Sequence, residues 1–325
     1  MTPAQPLVEI RNLQVRFRAG DGEIEAVRGI DLTIRRGEVL GVIGESGSGK
    51  TVSMTALLRL LPDNARVSAD VLAFDGEPIL APSAEAFRAW RGRRLAMIFQ
   101  NPAGAFNPAK TIGWHLDRIV QRRVAIGRAE GGEPGTPVRW LAEVGIPQPE
   151  RVLRLYPHQL SGGMQQRALI AMVVALEPDL IIADEPTTNL DNIVERQILD
   201  LFRDLRRRLR SAIVFITHDM TVAEALCDGI AVMYAGEVVE TGPADAVFAD
   251  PLHPYTRGLV ETSQELDRPT DRLREIPGEL PTAGKRPQGC LFAPRCAHVH
   301  ERCLPAPPPL IDAREGRFVR CVLYG

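Results

Sequence analysis

The sequence lacks the usual marks of a membrane-spanning, secreted or nucleic-acid-binding chain. Lys and Arg total 39 against 41 Asp and Glu, so there is no global basic field to hold a nucleic-acid backbone. The longest unbroken apolar run near the middle, residues 168–176, is about half of what a transmembrane helix needs. The N-terminal MTPAQPLVEI has neither the basic nor the apolar region of a signal peptide. We therefore expect a cytoplasmic globular chain, without a nucleic-acid partner, whose role at any membrane comes through a partner subunit.

Cysteine is scarce except at the end of the chain. Four of the five cysteines fall in the last 36 residues, at Cys290, Cys296, Cys303 and Cys321. Because disulfides are disfavoured in the cytoplasm, a shared metal or cluster is the expected cause of this clustering. Four thiolates suit either a cubane iron–sulfur cluster or tetrahedral zinc, and the spacing contains neither a CxxC knuckle nor a ferredoxin pattern. Reduced, unligated thiols are the third interpretation.

The stretch VLGVIGESGSGKTVS, residues 39–53, joins an apolar strand pattern to a helical pattern through a glycine-rich loop. The loop matches GxxxxGK[ST], in which backbone N–H groups wrap phosphate oxygens, the lysine reaches the β and γ phosphates, and the hydroxyl binds Mg²⁺. The residues that this pattern assigns to the nucleotide are Gly44, Ser46, Gly47, Ser48, Gly49, Lys50 and Thr51. A plain glycine turn does not account for the strand and helix on either side. The chain is therefore expected to bind a nucleoside triphosphate with Mg²⁺.

Three later segments carry residues suited to hydrolysis of a bound triphosphate. An apolar strand pattern ends in Asp184 and Glu185. In a P-loop protein, an acid at the end of a neighbouring strand completes the Mg²⁺ shell, and a second orients or deprotonates the attacking water. The segment LSGGMQQR places Ser161 before an apolar helical run, where it can cap the helix while the glycines admit a phosphate. His218 follows a third apolar strand, and by itself it has both a structural and a catalytic interpretation.

Alternating apolar and polar residues at 7–17 and 24–34 predict an antiparallel hairpin ahead of the P-loop. Phe17 ends the first of these strands. Its aromatic face suits stacking on a nucleotide base, and the alternative is an ordinary core phenylalanine.

The whole pattern predicts an α/β P-loop fold with an antiparallel β subdomain, a helical insertion and a small cysteine-bearing C-terminal module. Helical periodicity dominates residues 112–174 and is interrupted by a Gly- and Pro-rich loop at 127–137. After about residue 242 the composition shifts toward proline. The expected domains are 1–241, with a helical subdomain at about 101–175, and 242–325.

Taken in order, these motifs resemble the ATPase subunit of ABC transporters. The resemblance rests on Lys50, Gln100, LSGGMQQR, Asp184-Glu185, Asn189-Leu190-Asp191 and His218. It implies that Gln100 is the Q-loop residue serving Mg²⁺ and hydrolysis, that the signature contains Ser161, Gly162, Gly163 and Gln165, and that Asp184 holds Mg²⁺. It further implies that Glu185 is the catalytic base, Asp191 the D-loop aspartate and His218 the switch histidine. In this family ATP lies between the P-loop of one subunit and the signature of another, so a single copy of each implies a dimer. Asn189 departs from the small residue usual at its position.

A narrower resemblance covers nearly the whole chain. The segments GESGSGKTVS, IFQNPAGAFNP, YPHQLSGGMQQR, ADEPTTNLD, VMYAGEVVETG and HPYTRGLV look like the oligopeptide and dipeptide importer ATPases, in particular the D-type subunit. This resemblance implies a peripheral, ATP-driven translocase on the cytoplasmic face of the inner or plasma membrane. The implied partners are an F-type homologous ATPase, two transmembrane permease subunits and an extracytoplasmic solute-binding protein. The tail GCLFAPRC is similar to a C-terminal module that in some of these ATPases holds a [4Fe-4S] cluster, which favours that cluster over zinc.

Three alternative functions stay open from the sequence. The solute of such an importer has the alternatives nickel, a sugar or an opine-like compound. A non-catalytic ABC switch usually lacks a carboxylate or histidine, whereas Glu185 and His218 are both present. A soluble ABC ATPase acting in translation or DNA repair usually has two cassettes or a long coiled coil, and this chain has neither repeat nor heptads.

Overall fold

The computed structural model divides the chain into two compact units, Met1–Pro82 with Val214–Gly325, and Ser83–Ile213. It describes residues 5–20, 22–128, 136–188, 190–208, 210–266, 276–281, 286–314 and 316–325. Asn189 and most of the loop expected at 127–137 lie outside these ranges. Within them, no helix is both long and apolar enough to cross a bilayer. The domain boundaries expected from the sequence stay a prediction.

The helices and strands alternate along most of the chain. The first unit begins with β1 Val8–Ala19, β2 Gly22–Ile34, β3 Val39–Ile43, α1 Lys50–Leu57, β4 Ala65–Ser68, β5 Val71–Phe74 and β6 Glu77–Pro78. The second unit contains α2 Ala84–Arg88, β7 Leu95–Ile98, α3 Ile112–Ala125, α4 Thr136–Glu143, α5 Pro149–Val152, α6 Gly162–Ala175, β8 Leu180–Asp184 and α7 Asn192–Arg208. The chain continues with β9 Ala212–Thr217, most of which belongs to the first unit, α8 Met220–Leu226, β10 Gly229–Tyr234, β11 Glu237–Pro243, α9 Ala244–Ala249, α10 Pro254–Leu266, β12 Ile311–Arg314 and β13 Arg317–Val319.

The hairpin expected before the P-loop is confirmed as part of an antiparallel sheet. Strand β1 pairs antiparallel with β2 on one side, and the sheet runs in the order β2-β1-β5-β6, with β4 also paired to β1. Alternate side chains of β1, such as Val8, Ile10 and Val15, are fully buried. The period of two in the sequence therefore corresponds to one face on the core and one toward solvent.

The core of the first unit is a second sheet, whose strands run in the order β12-β13-β11-β10-β3-β9. Strand β3 pairs in parallel with β10, and every residue of both strands is buried. This double burial explains the continuous apolar run before the glycine loop, since strands at the centre of a parallel sheet are covered on both faces. At the other edge β13 pairs with β11, so residues near the C-terminus complete this sheet. A separate cysteine-bearing module is not confirmed.

The second unit combines a parallel strand pair with the helical insertion. Strand β7 pairs with β8 from Leu95 opposite Leu180 to Ile98 opposite Ala183. Helix α6 is buried along most of its length, which matches its apolar sequence. It begins where the sequence predicts, because the Ser161 hydroxyl accepts a hydrogen bond from the Met164 N–H at 3.3 Å. The helical pattern expected across 112–174 is thus confirmed for its described part.

A buried polar cluster supports the C-terminal part of the first unit. The fully buried Glu240 carboxylate accepts the backbone N–H groups of Leu252 and His253, at 2.9 and 2.8 Å, and an Nη2–H of Arg317 at 3.0 Å. His253 in turn accepts the Tyr255 N–H on its Nδ1 at 3.0 Å. Burial, reinforced by the charge of Arg320, lowers the pKa of His253 to about 3. The imidazole is therefore neutral in the folded chain.

This histidine makes stability depend on pH. Because the folded pKa lies below the unfolded value of about 6.5, the unfolded chain takes up the proton first. The free energy of unfolding should fall by up to ~1.4 kcal/mol per pH unit as pH decreases from about 6.5 toward about 3. We expect His253→Asn, whose side-chain oxygen can still accept the Tyr255 N–H, to remove this component from urea unfolding measured at several pH values. The matched variant of exposed His158, His158→Asn, should keep it, and identical slopes for the wild type and His253→Asn would contradict the assignment.

Candidate active site

The glycine-rich loop closes tightly on itself at the end of β3. Gly49, with φ of 100°, is the N-cap of α1, so the helix starts at Lys50. The Lys50 side chain is 5% exposed, and its Nζ donates to the carbonyl oxygens of Gly44 and Glu45 at 2.7 and 3.0 Å. These bonds hold the ammonium group over the loop in the absence of a ligand. Charged N–H donors of this kind are suited to phosphate oxygens.

Two further features of the loop fit an anion. Gly44 has φ of 150°, and a Cβ there would lie 2.2 Å from the Met233 carbonyl oxygen, so only glycine fits this close approach. Ser48 is fully buried, and its Oγ has no hydrogen-bond partner in the protein. Buried polar groups are normally bonded, so this hydroxyl indicates a ligand group. Ser46 and Gly47 are exposed at the loop tip, and Thr51 is exposed in the first turn of α1.

In the second unit, the acids expected at the end of β8 lie at the strand end and directly after it. Asp184 is the last residue of the strand and is 5% exposed. The Oε2 of Glu185 accepts hydrogen bonds from Gln100 Nε2 at 2.8 Å and from Thr188 Oγ1 at 2.9 Å. Glu185 also has φ of 42°, a conformation that is strained for a residue with a side chain and is concentrated at functional sites. Gln100 and Glu185, 85 residues apart, are thus brought into direct contact.

Thr188 is the residue at this site that the sequence reasoning missed. Besides the bond from its hydroxyl to the Glu185 carboxylate, its N–H donates to the Glu185 carbonyl oxygen at 3.2 Å. A threonine three residues after a strand-end acid is placed to bond back across the turn, and this spacing was the available signal. Thr188 orients the carboxylate that the sequence assigns to the attacking water.

The signature segment has an exposed end and a buried one. Ser161 and Gly162 are exposed, whereas Gly163 is buried. The Nε2 of Gln165 donates to the carbonyl oxygens of Pro157 and Leu160, at 2.8 and 3.3 Å, and thereby fixes the loop before α6. The structure therefore leaves the first two residues accessible and uses the side chain of Gln165 internally.

Gly163 has a packing role that can be tested against its neighbour. A Cβ on Gly163 would lie 2.5 Å from Val194 Cγ1, whereas one on Gly162 would lie 3.9 Å from Leu190 Cδ2. We expect Gly163→Ala to lower the free energy of unfolding by about 1–3 kcal/mol through overpacking, and Gly162→Ala, in the same helical turn, to leave it nearly unchanged. Urea denaturation of the two variants measures the difference. Equal stabilities would show that α7 yields to the added methyl group.

The remaining expected site residues lie at element ends. Phe17 is half-buried near the end of β1, where it pairs with Ile24 and Ala65. Asp191 begins α7, and its Oδ1 accepts the N–H groups of Ile193 and Val194 at 3.2 and 3.0 Å. His218 is exposed directly after β9. All three positions are compatible with contacts to a ligand or a second subunit.

Known proteins with the same motifs identify the family. Residues 27–188 match the family model "ABC transporter", and residues 239–303 match "Oligopeptide/dipeptide transporter, C-terminal region". The oligopeptide transport ATP-binding protein OppD of Salmonella typhimurium is 41% identical over 98% of this chain and 94% of its own length. This chain belongs to the ABC transporter ATPases.

Further relatives agree with this membership. The dipeptide transport ATP-binding protein DppD of Escherichia coli is 41% identical over 97% of this chain and 96% of its own. The dimeric post-hydrolysis structure of the ATP-binding cassette MJ0796 bound to ADP and Pi superposes with a TM-score of 0.61 and 25% identity, over 73% of this chain and 98% of that chain. The P-loop ABC fold expected from the sequence is confirmed, and the chain is an ATPase.

The iron–sulfur cluster expected in this ABC ATPase is wrong. Cys290, Cys296, Cys303 and Cys321 do line one small pocket. However, among the residues that the structure describes, no group of three or more His, Cys, Asp or Glu side chains is arranged to hold a metal ion. Burial raises the pKa of Cys290 to about 11 and also raises the pKa values of Cys296 and Cys321, whereas a metal ligand must be a thiolate. The cysteines are free thiols, so their clustering in the sequence did not specify a ligand geometry.

Proposed function

We propose that this chain is the D-type ATP-hydrolysing subunit of an ABC importer that takes up dipeptides, oligopeptides or related small solutes. The observation that carries the proposal is similarity along nearly the full chain to OppD and DppD, including the C-terminal region at 239–303 that the general ABC transporter match does not cover. Both of these relatives bear the names of peptide transport proteins. This favours a peptide over nickel, a sugar or an opine as the solute.

In this proposal the first unit binds the triphosphate. Lys50 exchanges its bonds to the Gly44 and Glu45 carbonyl oxygens for the β and γ phosphates, while the loop N–H groups and the unpartnered Ser48 hydroxyl bond other phosphate oxygens. Phe17 stacks on the base. His218 contacts the γ phosphate side as the switch histidine. The exposed Ser161 and Gly162, with Gly163, Gln165 and Asp191 behind them, face the nucleotide of a partner ATPase.

The second unit supplies the chemistry of hydrolysis. Glu185 takes the proton of the attacking water, and Gln100 and Thr188 keep its carboxylate oriented through their bonds to Oε2. Mg²⁺, when bound, neutralises charge on the β and γ phosphate oxygens, and Thr51, Asp184 and Gln100 are the residues to hold it. An oxygen-donor set with a single carboxylate suits this ion, which keeps several of its waters.

The partners follow from the same proposal. An F-type homologous ATPase completes the two nucleotide sites, two transmembrane permease subunits form the path, and an extracytoplasmic binding protein delivers the solute. The chain would then sit peripherally at the cytoplasmic face of the inner or plasma membrane. Its described part contains no helix able to span the bilayer, so attachment comes through the permeases.

Uptake by intact cells tests the solute class. A strain lacking the chain is compared with strains restored by the wild type or by Glu185→Gln, using labelled di-, tri- and oligopeptides, with nickel and a sugar as control solutes. We expect loss of peptide uptake that only the wild type restores. Unchanged peptide uptake together with loss of a control solute would overturn the peptide assignment and leave the ATPase activity in place.

A further inference from the structure

The second residue of the glycine-rich loop, Glu45, is bonded at each of its polar groups within the first unit. Its N–H donates to the Tyr255 hydroxyl at 2.9 Å, and its carbonyl oxygen accepts Lys50 Nζ at 3.0 Å. The Ser48 N–H donates to the same carbonyl at 3.2 Å. Its carboxylate takes a two-fold bond from Arg295, with Nη1 to Oε2 at 2.9 Å and Nη2 to Oε1 at 3.0 Å. Glu45 therefore links the C-terminal part of the unit to the lysine that reaches the phosphates.

The Arg295 guanidinium is held rigidly where it meets the loop. Its side chain is 6% exposed, and its N–H groups also donate to the Pro277 carbonyl at 2.8 Å, to the Ile276 carbonyl at 3.1 Å and to the Tyr234 hydroxyl at 3.4 Å. The five donors of the guanidinium thus have five acceptors. The planar fork matches the carboxylate in a way that a lysine could not. A side chain that is immobilised to this degree can restrain its partner.

A compact turn and an aromatic cluster support these contacts. Arg295 ends a short 3₁₀ helix between Cys290 and Cys296, and the Cys290 N–H donates to the Cys303 carbonyl at 2.8 Å. Tyr255 is fully buried, and its ring packs 4.7 Å from that of Tyr234. Since Glu45 and Arg295 are 250 residues apart, the contact is a property of the tertiary fold and joins the C-terminal region to the start of the phosphate loop.

We propose that Arg295 is a positioning residue for ATP binding, which acts with Tyr255 through Glu45 to hold the phosphate loop in its binding shape before the nucleotide arrives. Holding the loop in advance reduces the ordering entropy that binding must otherwise overcome. The inference rests on the proposed use of the loop for ATP and is independent of the transported solute. It assigns the C-terminal segment a direct influence on nucleotide affinity.

The test is a double-mutant cycle on the purified full chain with a fluorescent ATP analogue and Mg²⁺. We expect Arg295→Gln and Glu45→Gln each to raise the Kd about tenfold, as loss of a charge-assisted bidentate contact would, while kcat at saturating ATP in the assembled transporter stays within about threefold. In the double variant the Kd should rise no further than in either single variant, because both changes break the same contact. Arg302→Gln is the matched control, since this exposed arginine of the same segment bonds the Gly325 carbonyl instead.

Each other outcome decides against one specific statement. A Kd that stays at the wild-type value in Arg295→Gln while the melting temperature falls would reduce Arg295 to a structural residue, and additive effects in the double variant would also overturn the coupling. If Arg295→Gln does not fold, Glu45→Gln and Tyr255→Phe provide the same readout, because they leave the bonds of Arg295 to Ile276 and Pro277 in place. Failure of the wild type to bind the analogue would instead refute the proposed ATP site.

Discussion

Replacing Glu185 by Gln is expected to lower steady-state ATP turnover by about two to four orders of magnitude while leaving ATP affinity near the wild-type value. The reason lies in the contacts of the side chain. A glutamine oxygen can still accept the bonds that Gln100 and Thr188 now donate to Oε2, so the shape of the site is kept. What is lost is the basic oxygen that takes the proton of water. The phosphate contacts of Lys50 and the loop are unaffected, so the ATP-bound dimer should accumulate.

The assay for this variant is ATP turnover by the assembled transporter, with size-exclusion chromatography to detect the trapped dimer. Glu150→Gln is a suitable control, because Glu150 is an exposed glutamate in the first turn of α5 and should leave turnover unchanged. If Glu185→Gln kept more than about a tenth of wild-type turnover, Glu185 would not be the general base.

Replacing Lys50 by Ala is expected to raise the Kd for ATP by about 10²–10³-fold. The ammonium is 5% exposed and lies within bonding distance of two loop carbonyl oxygens, so it is positioned to change partners from carbonyl to phosphate with little movement. Charge-assisted hydrogen bonds contribute about 1.5–3 kcal/mol each, and two of them correspond to the stated change in affinity. Peptide uptake should be lost together with binding.

Titration with a fluorescent ATP analogue measures this effect, and circular dichroism shows whether the variant is folded. Lys110→Ala serves as the comparison, because Lys110 is exposed and lies 5.6 Å from the Trp114 ring, in the other unit of the chain. Binding by Lys50→Ala within about threefold of wild type would refute the assignment of the loop as the phosphate site, since even one lost ionic hydrogen bond has a larger effect.

Local sequence patterns determined the parts of this protein that depend on neighbouring residues. The alternation in β1 and β2 predicted their antiparallel pairing. The apolar run of β3 and the hydroxyl of Ser161 predicted a buried strand and a helix start. Each of these features follows from the chain's own periodicity or from a bond across three residues, so it can be read without knowledge of the remaining fold.

Only the tertiary structure decided which distant groups meet. The contact of Gln100 with Glu185 spans 85 residues, and that of Glu45 with Arg295 spans 250; neither distance has a periodicity that a sequence could display. The four cysteines illustrate the converse, because their count suggested a metal cluster while the described residues offer no metal-binding arrangement. Residue type and spacing specify local conformation, whereas the convergence of side chains depends on how sheets and helices pack. The chemistry of each residue was therefore evident from the sequence, and its partners were fixed by the fold.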